Sequence, residues 1–134
     1  MTVCVDTSAF YAFMVQADSN HRKIGKFFAE VFERHDELIS TSLVLGETLG
    51  LMQHRHGVDA ARRFMQSIYP AVSWRWVDSG LLREAWRILD EKNLRGFTIV
   101  DASVVAAIAE RPGCACAAFD PDLTGFGFEV VPGP

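Results

Sequence analysis

Four acidic side chains stand where a folded chain can gather them: Asp6, Glu47, Asp101 and Asp120. Asp6 follows the short β-rich run Val3-Cys4-Val5. Asp120, with Asp122 two residues on, follows a second apolar run at 114–119. Glu47 lies one to two turns into a helix that Ser42 can cap, and Asp101 lies in the first turn of a helix opened by Thr98. Carboxylates converging on one point repel each other unless they share a cation or some keep a proton. Mg2+ and Mn2+ prefer oxygen ligands, so an all-carboxylate pocket suits them rather than the Cys/His set of a typical zinc site. A cation held there can bind a phosphodiester oxygen, make hydroxide from water and stabilise a leaving oxygen.

Each acid also has an ordinary structural use. Asp6 can cap the helix that follows it. Thr98-Ile-Val-Asp101 has the pattern of a capping box. Asp120-Pro-Asp122 is good turn chemistry. Glu47 is harder to explain structurally: it stands among Leu43, Val44, Leu45, Leu49 and Leu51, where an unpaired carboxylate is costly. No one acid marks a site; the common placement of all four does.

That placement depends on the elements between them. Strands are expected at 3–5, 38–41, 72–77, 114–119 and 128–131. Helices are expected at 8–15, 20–34, 42–56, 59–68 and 99–110, with a further helix whose apolar face is Leu82, Ala85, Trp86 and Leu89. Strands alternating with one or two helices imply a mainly parallel sheet with helices on both faces, an α/β fold. In such open sheets ligands bind beyond the carboxyl ends of the strands, where Asp6 and Asp120 fall.

The chain of 134 residues fits one domain, 1–134, and its 49% hydrophobic and 22% charged residues exclude disorder. No apolar run approaches a membrane span, and MTVCVDTSAF is no secretory signal, so a cytoplasmic location is expected. The net charge of -4 argues against a broad basic nucleic-acid surface, so a divalent cation would have to draw phosphate in. Arg62, Arg63, Arg75 and Arg95 offer either phosphate contacts or an ordinary solvated face, and the four histidines read as surface residues. Cys4, Cys114 and Cys116 form no metal or redox motif and are expected to be buried free thiols on neighbouring strands.

The segments Val5-Asp6-Thr7-Ser8-Ala9-Phe10, Ser42-Leu-Val-Leu-Gly-Glu47, Thr98-Ile-Val-Asp101-Ala102 and Phe119-Asp120-Pro-Asp122-Leu123 occur in this order across the whole chain. In this the chain resembles the PIN domain family, most closely the VapC-type toxins of bacterial toxin–antitoxin pairs. The resemblance implies a three-layer fold with a five-stranded parallel sheet of order 3-2-1-4-5, and Mg2+- or Mn2+-dependent endonucleolytic cleavage of RNA. It matches Asp6, Glu47, Asp101 and Asp120 to the family's acidic positions, with Asp122 a candidate fifth ligand and Thr7 and Ser8 as donors that orient carboxylates. Where the family often has Ser or Thr, two residues before Asp120, this chain has Ala118. Implied partners are RNA, a VapB-like antitoxin and a second copy of the chain.

Three alternatives compete. Asp120-Pro-Asp122-Leu-Thr124 fits the DxDxT pattern of haloacid-dehalogenase-like phosphatases, but only ten residues follow it. A receiver-like phosphoacceptor would need an acidic pair after the first strand and a late lysine, against a lone Asp6 and a last lysine at Lys92. A PIN-like module that binds RNA or a partner without cutting would not need all four acids. Finally, Phe10, Tyr11, Phe13 and Met14, with Phe27, Phe28, Val31 and Phe32, are more apolar surface than one small core is expected to hide. An exposed apolar groove between the first two helices is therefore expected.

Overall fold

The computed structural model describes residues 1–133. The strands are β1 (Thr2–Val5), β2 (Glu37–Thr41), β3 (Ser73–Arg75), β4 (Ala115–Ala117) and β5 (Val130–Val131). The helices are α1 (Thr7–Met14), α2 (His21–Glu33), α3 (Ser42–His56), α4 (Val58–Ser67), α5 (Ser79–Lys92) and α6 (Ile99–Ala109). All five strands pair in parallel in the order β3-β2-β1-β4-β5, as expected. Sheet growth reverses after β3, so right-handed crossovers set α1–α4 on one face and α5–α6 on the other.

The outer strands are shorter than the apolar runs that encode them. β3 is three residues long because β2 is its sole neighbour, in the register Ile39↔Ser73 to Thr41↔Arg75. β5 keeps two residues, while Phe126 and Phe128 stack on one another with ring centroids 6.0 Å apart. β4 sits between β1 and β5 and is wholly buried. Cys4 and Cys116 are register partners, and all three cysteines are free and buried.

Two packing expectations are corrected. Phe10 and Phe28 are fully buried, and Phe13 and Phe27 are half-buried against the core, leaving only Phe32 of these aromatics exposed. α1 is apolar nearly all round because it is flanked by α2 and α3 within the same chain. On α5 the buried stripe is Leu81, Ala85 and Ile88, rotated from the expected face, and Leu82 and Trp86 point outward. Either stripe satisfies helical spacing; the Asp78 cap, whose side chain accepts from Leu81 N–H at 2.8 Å, starts the helix, and packing against α6 selects the face that is buried. No helix among the described residues is long and apolar enough to cross a membrane.

Candidate active site

Three of the acids are delivered by the ends of elements that meet at the carboxyl edge of the sheet. The register Val5↔Ala117 sets the ends of β1 and β4 side by side, and Asp6 N–H extends the ladder to Ala117 C=O at 2.9 Å. Asp6 and Asp120 therefore leave the sheet at the same edge. α3 begins directly at the end of β2, with Thr41 capping it through Val44 N–H, and Thr41 Oγ1 also meets Ser103 Oγ of α6 at 2.9 Å. That contact brings the first turn of α6, and so Asp101, toward the edge.

One cleft is lined by Asp6, Glu47, Asp101 and Asp120 together with Thr7 and Ser8. Asp122 is not among its lining residues. Its Oδ2 points toward Gly96, close enough that a Cβ there would sit 3.1 Å away, and its backbone N–H donates to Asp120 Oδ1 at 2.9 Å. Another groove, walled by Ile108, Gly113, Cys114 and Phe128, includes a single carboxylate, Glu129.

The capping uses foreseen for the aspartates are all present, and they leave a second oxygen on each. Asp6 Oδ2 accepts from Ser8 N–H at 3.2 Å and Ser8 Oγ–H at 2.8 Å. Asp101 Oδ2 accepts from Thr98 N–H at 2.8 Å, completing a capping box with the Thr98 hydroxyl. Asp120 Oδ1 accepts from the turn of Asp122. The other oxygen of Asp6, Oδ1, is buried with no hydrogen-bond partner. A buried carboxylate oxygen in that state is costly unless something else neutralises it.

Burial pushes the Asp6 carboxyl up from 3.8 to about 6; the Ser8 bonds oppose this and the Asp101 charge adds to it. Burial likewise raises Asp101, the Thr98 N–H opposes, and the charges of Asp120 and Glu47 raise it further. These aspartates are thus near enough to feel their neighbours' charge. Among the described residues no three Asp, Glu, His or Cys side chains are grouped tightly enough to hold a metal ion as they stand. The donor set is all oxygen and includes an orphaned buried oxygen, which fits a hard divalent cation.

Ser8 has a double role: its Oγ donates to Asp6 and accepts from Phe119 N–H at 2.9 Å, tying the start of α1 to the strand end before Asp120. Thr7 differs from expectation. Its hydroxyl is buried and makes no hydrogen bond, so it orients no carboxylate through that group. Glu47 is exposed rather than buried among leucines. α3 buries Val44, Leu45, Thr48 and Met52, and Glu47 lies on the stripe facing the cleft with Leu51 and Arg55. Tyr11, Asp18, Asn20 and Phe119 complete the walls. Arg55 and Tyr11 escaped the sequence reading; the four-residue steps 47-51-55 and 7-11 were the available signal. Of the arginines singled out from sequence, Arg62 pairs with Asp59 and Arg75 binds Glu110 through two nitrogens.

The PIN domain family profile matches residues 3–129, and the chain belongs to that family. VapC20 of Mycobacterium tuberculosis, a sarcin–ricin loop cleaving toxin, is similar in structure with a TM-score of 0.82. It is 27% identical, and the match covers 94% of this chain and 95% of that one. The VapBC2 structure from Rickettsia felis, bound to a promoter DNA fragment, has a TM-score of 0.68 at 8% identity over 97% of both chains and shares the fold alone. No curated protein sequence matches the chain.

Proposed function

We propose that this chain is a divalent-metal-dependent endoribonuclease, the cytoplasmic toxin of a type II toxin–antitoxin pair, built as a single domain. The observation that carries the reading is the cleft lined by Asp6, Glu47, Asp101 and Asp120, with Asp6 Oδ1 buried and unpartnered. The likeness to a VapC toxin supports RNA as the polymer that is cut.

Asp6, Asp101, Asp120 and Glu47 would hold Mg2+ or Mn2+; Asp122 acts on the site through its backbone N–H to Asp120. When bound, the cation supplies charge neutralisation at the phosphodiester and a more acidic water. The chain's own residues do the positioning. Ser8 fixes Asp6 and links it to Phe119, Thr98 fixes Asp101, and the 121–123 turn fixes Asp120. Exposed Glu47 would complete the carboxylate set from the α3 side of the cleft. A VapB-like antitoxin would silence the site by covering it. The exposed Leu82 and Trp86 of α5 offer a second copy of the chain an apolar face.

The test is incubation of the purified chain with a labelled RNA hairpin in Mg2+, Mn2+ or EDTA, followed by mapping of the new ends. Cleavage in metal, lost in EDTA and in Asp6→Asn, is the expected result. Full cutting by Asp6→Asn would overturn the mechanism.

A further inference from the structure

The cleft, which Asp18 lines as well as the four site acids, carries one cation that metal chemistry does not use. Two helical stripes leave its acidic pole. α1 carries Thr7 and Ser8 and then Tyr11, and α3 carries Glu47 and then Leu51 and Arg55, all lining the same cleft. Eight residues of helix separate Glu47 from Arg55, about 12 Å along the axis. At that far end the Arg55 guanidinium lies over the Tyr11 ring, 5.3 Å from its centroid, and Tyr11 Oη meets His56 Nε2 at 2.9 Å.

Arg55 forms no ion pair among the described residues, although Glu47 and Asp101 line the same cleft. Arg34, Arg62, Arg75, Arg87 and Arg111 are each engaged by a carboxylate, while Arg22, Arg63, Arg83 and Arg95 are, like Arg55, without an ion pair among the described residues; of these unpaired arginines Arg55 alone lines the cleft. A cation at the last turn of α3 is favoured by the helix dipole wherever it points. The dipole does not explain why this one is laid on an aromatic face inside the cleft, with the ring itself tethered by His56. A planar guanidinium stacked in this way keeps its N–H edge free for a phosphate.

We infer that Arg55, backed by Tyr11 and His56, is a phosphate clamp for the RNA strand, binding a phosphate that flanks the scissile one. This rests on the ribonuclease reading of the cleft. The acidic pole repels a polyanion until metal neutralises it, so a fixed cation at the other end is what would hold the strand along the cleft and set its direction. Arg55 would touch the substrate; Tyr11 and His56 would be positioning residues that hold the guanidinium in place.

The experiment measures binding of a fluorescein-labelled RNA hairpin to the full chain by anisotropy in EDTA across a potassium chloride series, and kcat and KM in Mn2+. Arg55→Ala should weaken binding roughly tenfold, the loss of one charge-assisted contact. The slope of log K against log salt should become shallower by about 0.7, the value for one single-strand phosphate. KM should rise with kcat little changed. Arg55→Lys should keep the slope. Tyr11→Phe, which keeps the ring but loses the His56 bond, should fall between. Arg87→Ala, whose side chain pairs with Glu84 and Glu91 on α5, is the control. An Arg55→Ala protein with the parent's affinity and salt slope overturns the clamp, as does a parent chain that binds no RNA. RNA bound through Arg55 but never cut would sink the hydrolytic reading and leave the clamp standing. RNA cut with KM indifferent to Arg55 would do the reverse.

Discussion

Asp6 combines two roles that compete only on paper, because a carboxylate has two oxygens. Oδ2 caps α1 and Oδ1 is left buried without a partner. With its pKa lifted from 3.8 to about 6, Asp6 holds a proton between roughly pH 4 and 6 that the unfolded chain has lost. Stability of the metal-free protein should therefore fall as pH rises through that window, and the loss is complete above it. Asp6→Asn should raise the stability of metal-free protein by roughly 1–3 kcal/mol at neutral pH, with the gain vanishing below about pH 4. Urea melts at several pH values check this; a gain that grows on acidification would contradict it. Mn2+ should raise the Tm of the parent and not that of Asp6→Asn, since a ligand stabilises only the state that binds it. Ser8→Ala removes the hydroxyl shared by Asp6 and Phe119, and cleavage should drop roughly 10–100-fold.

At the scale of elements, the site is an assembly of helix starts. α1, α3 and α6 each begin with a side-chain cap, from Asp6, Thr41 and Thr98. Thr98 both caps α6 and holds Asp101 through a reciprocal bond, so Thr98→Ala should destabilise by roughly 0.5–2 kcal/mol. It should also weaken Mn2+ binding, measured by calorimetry, whereas Thr98→Ser should restore both. The cap motif and the alternation of strands and helices were legible in sequence because both are local. The phase of α5 was not: Leu81-Ala85-Ile88 and Leu82-Ala85-Trp86-Leu89 both satisfy helical periodicity, and the packing on α6 chooses between them.

For the whole molecule, the large apolar side chains left outside the core include Trp76, Leu82, Trp86 and Leu94 on and around α5, besides Phe32 on α2. Trp86→Glu should leave the thermal melt of the monomer unchanged and shift a dimer to monomer in light scattering. A monomeric parent would remove α5 as the self-association face. Cys4, Cys114 and Cys116 are buried, and burial raises each thiol above its ordinary range. All three should react with a thiol reagent only after unfolding, and a thiol count of three in denaturant, without reductant, checks that none is paired.

The order of the four acidic segments, the parallel sheet they imply and the all-oxygen character of the site were set by residue types and short-range spacing. A strand that ends at an aspartate, or a threonine three residues before one, reports its own local geometry. Other features depended on residues distant in sequence. Glu47 is exposed because α3 turns its Val44-Thr48-Met52 stripe inward and so presents Glu47, Leu51 and Arg55 to the cleft. Asp122 does not line the cleft; the turn after Asp120 brings its side chain beside Gly96, on the loop before α6. Arg55 meets Tyr11 forty-four positions earlier only because α1 and α3 pack side by side. Local sequence sets which groups an element carries; the face each element turns to the cleft is set by what it must bury, and that is decided by the fold as a whole.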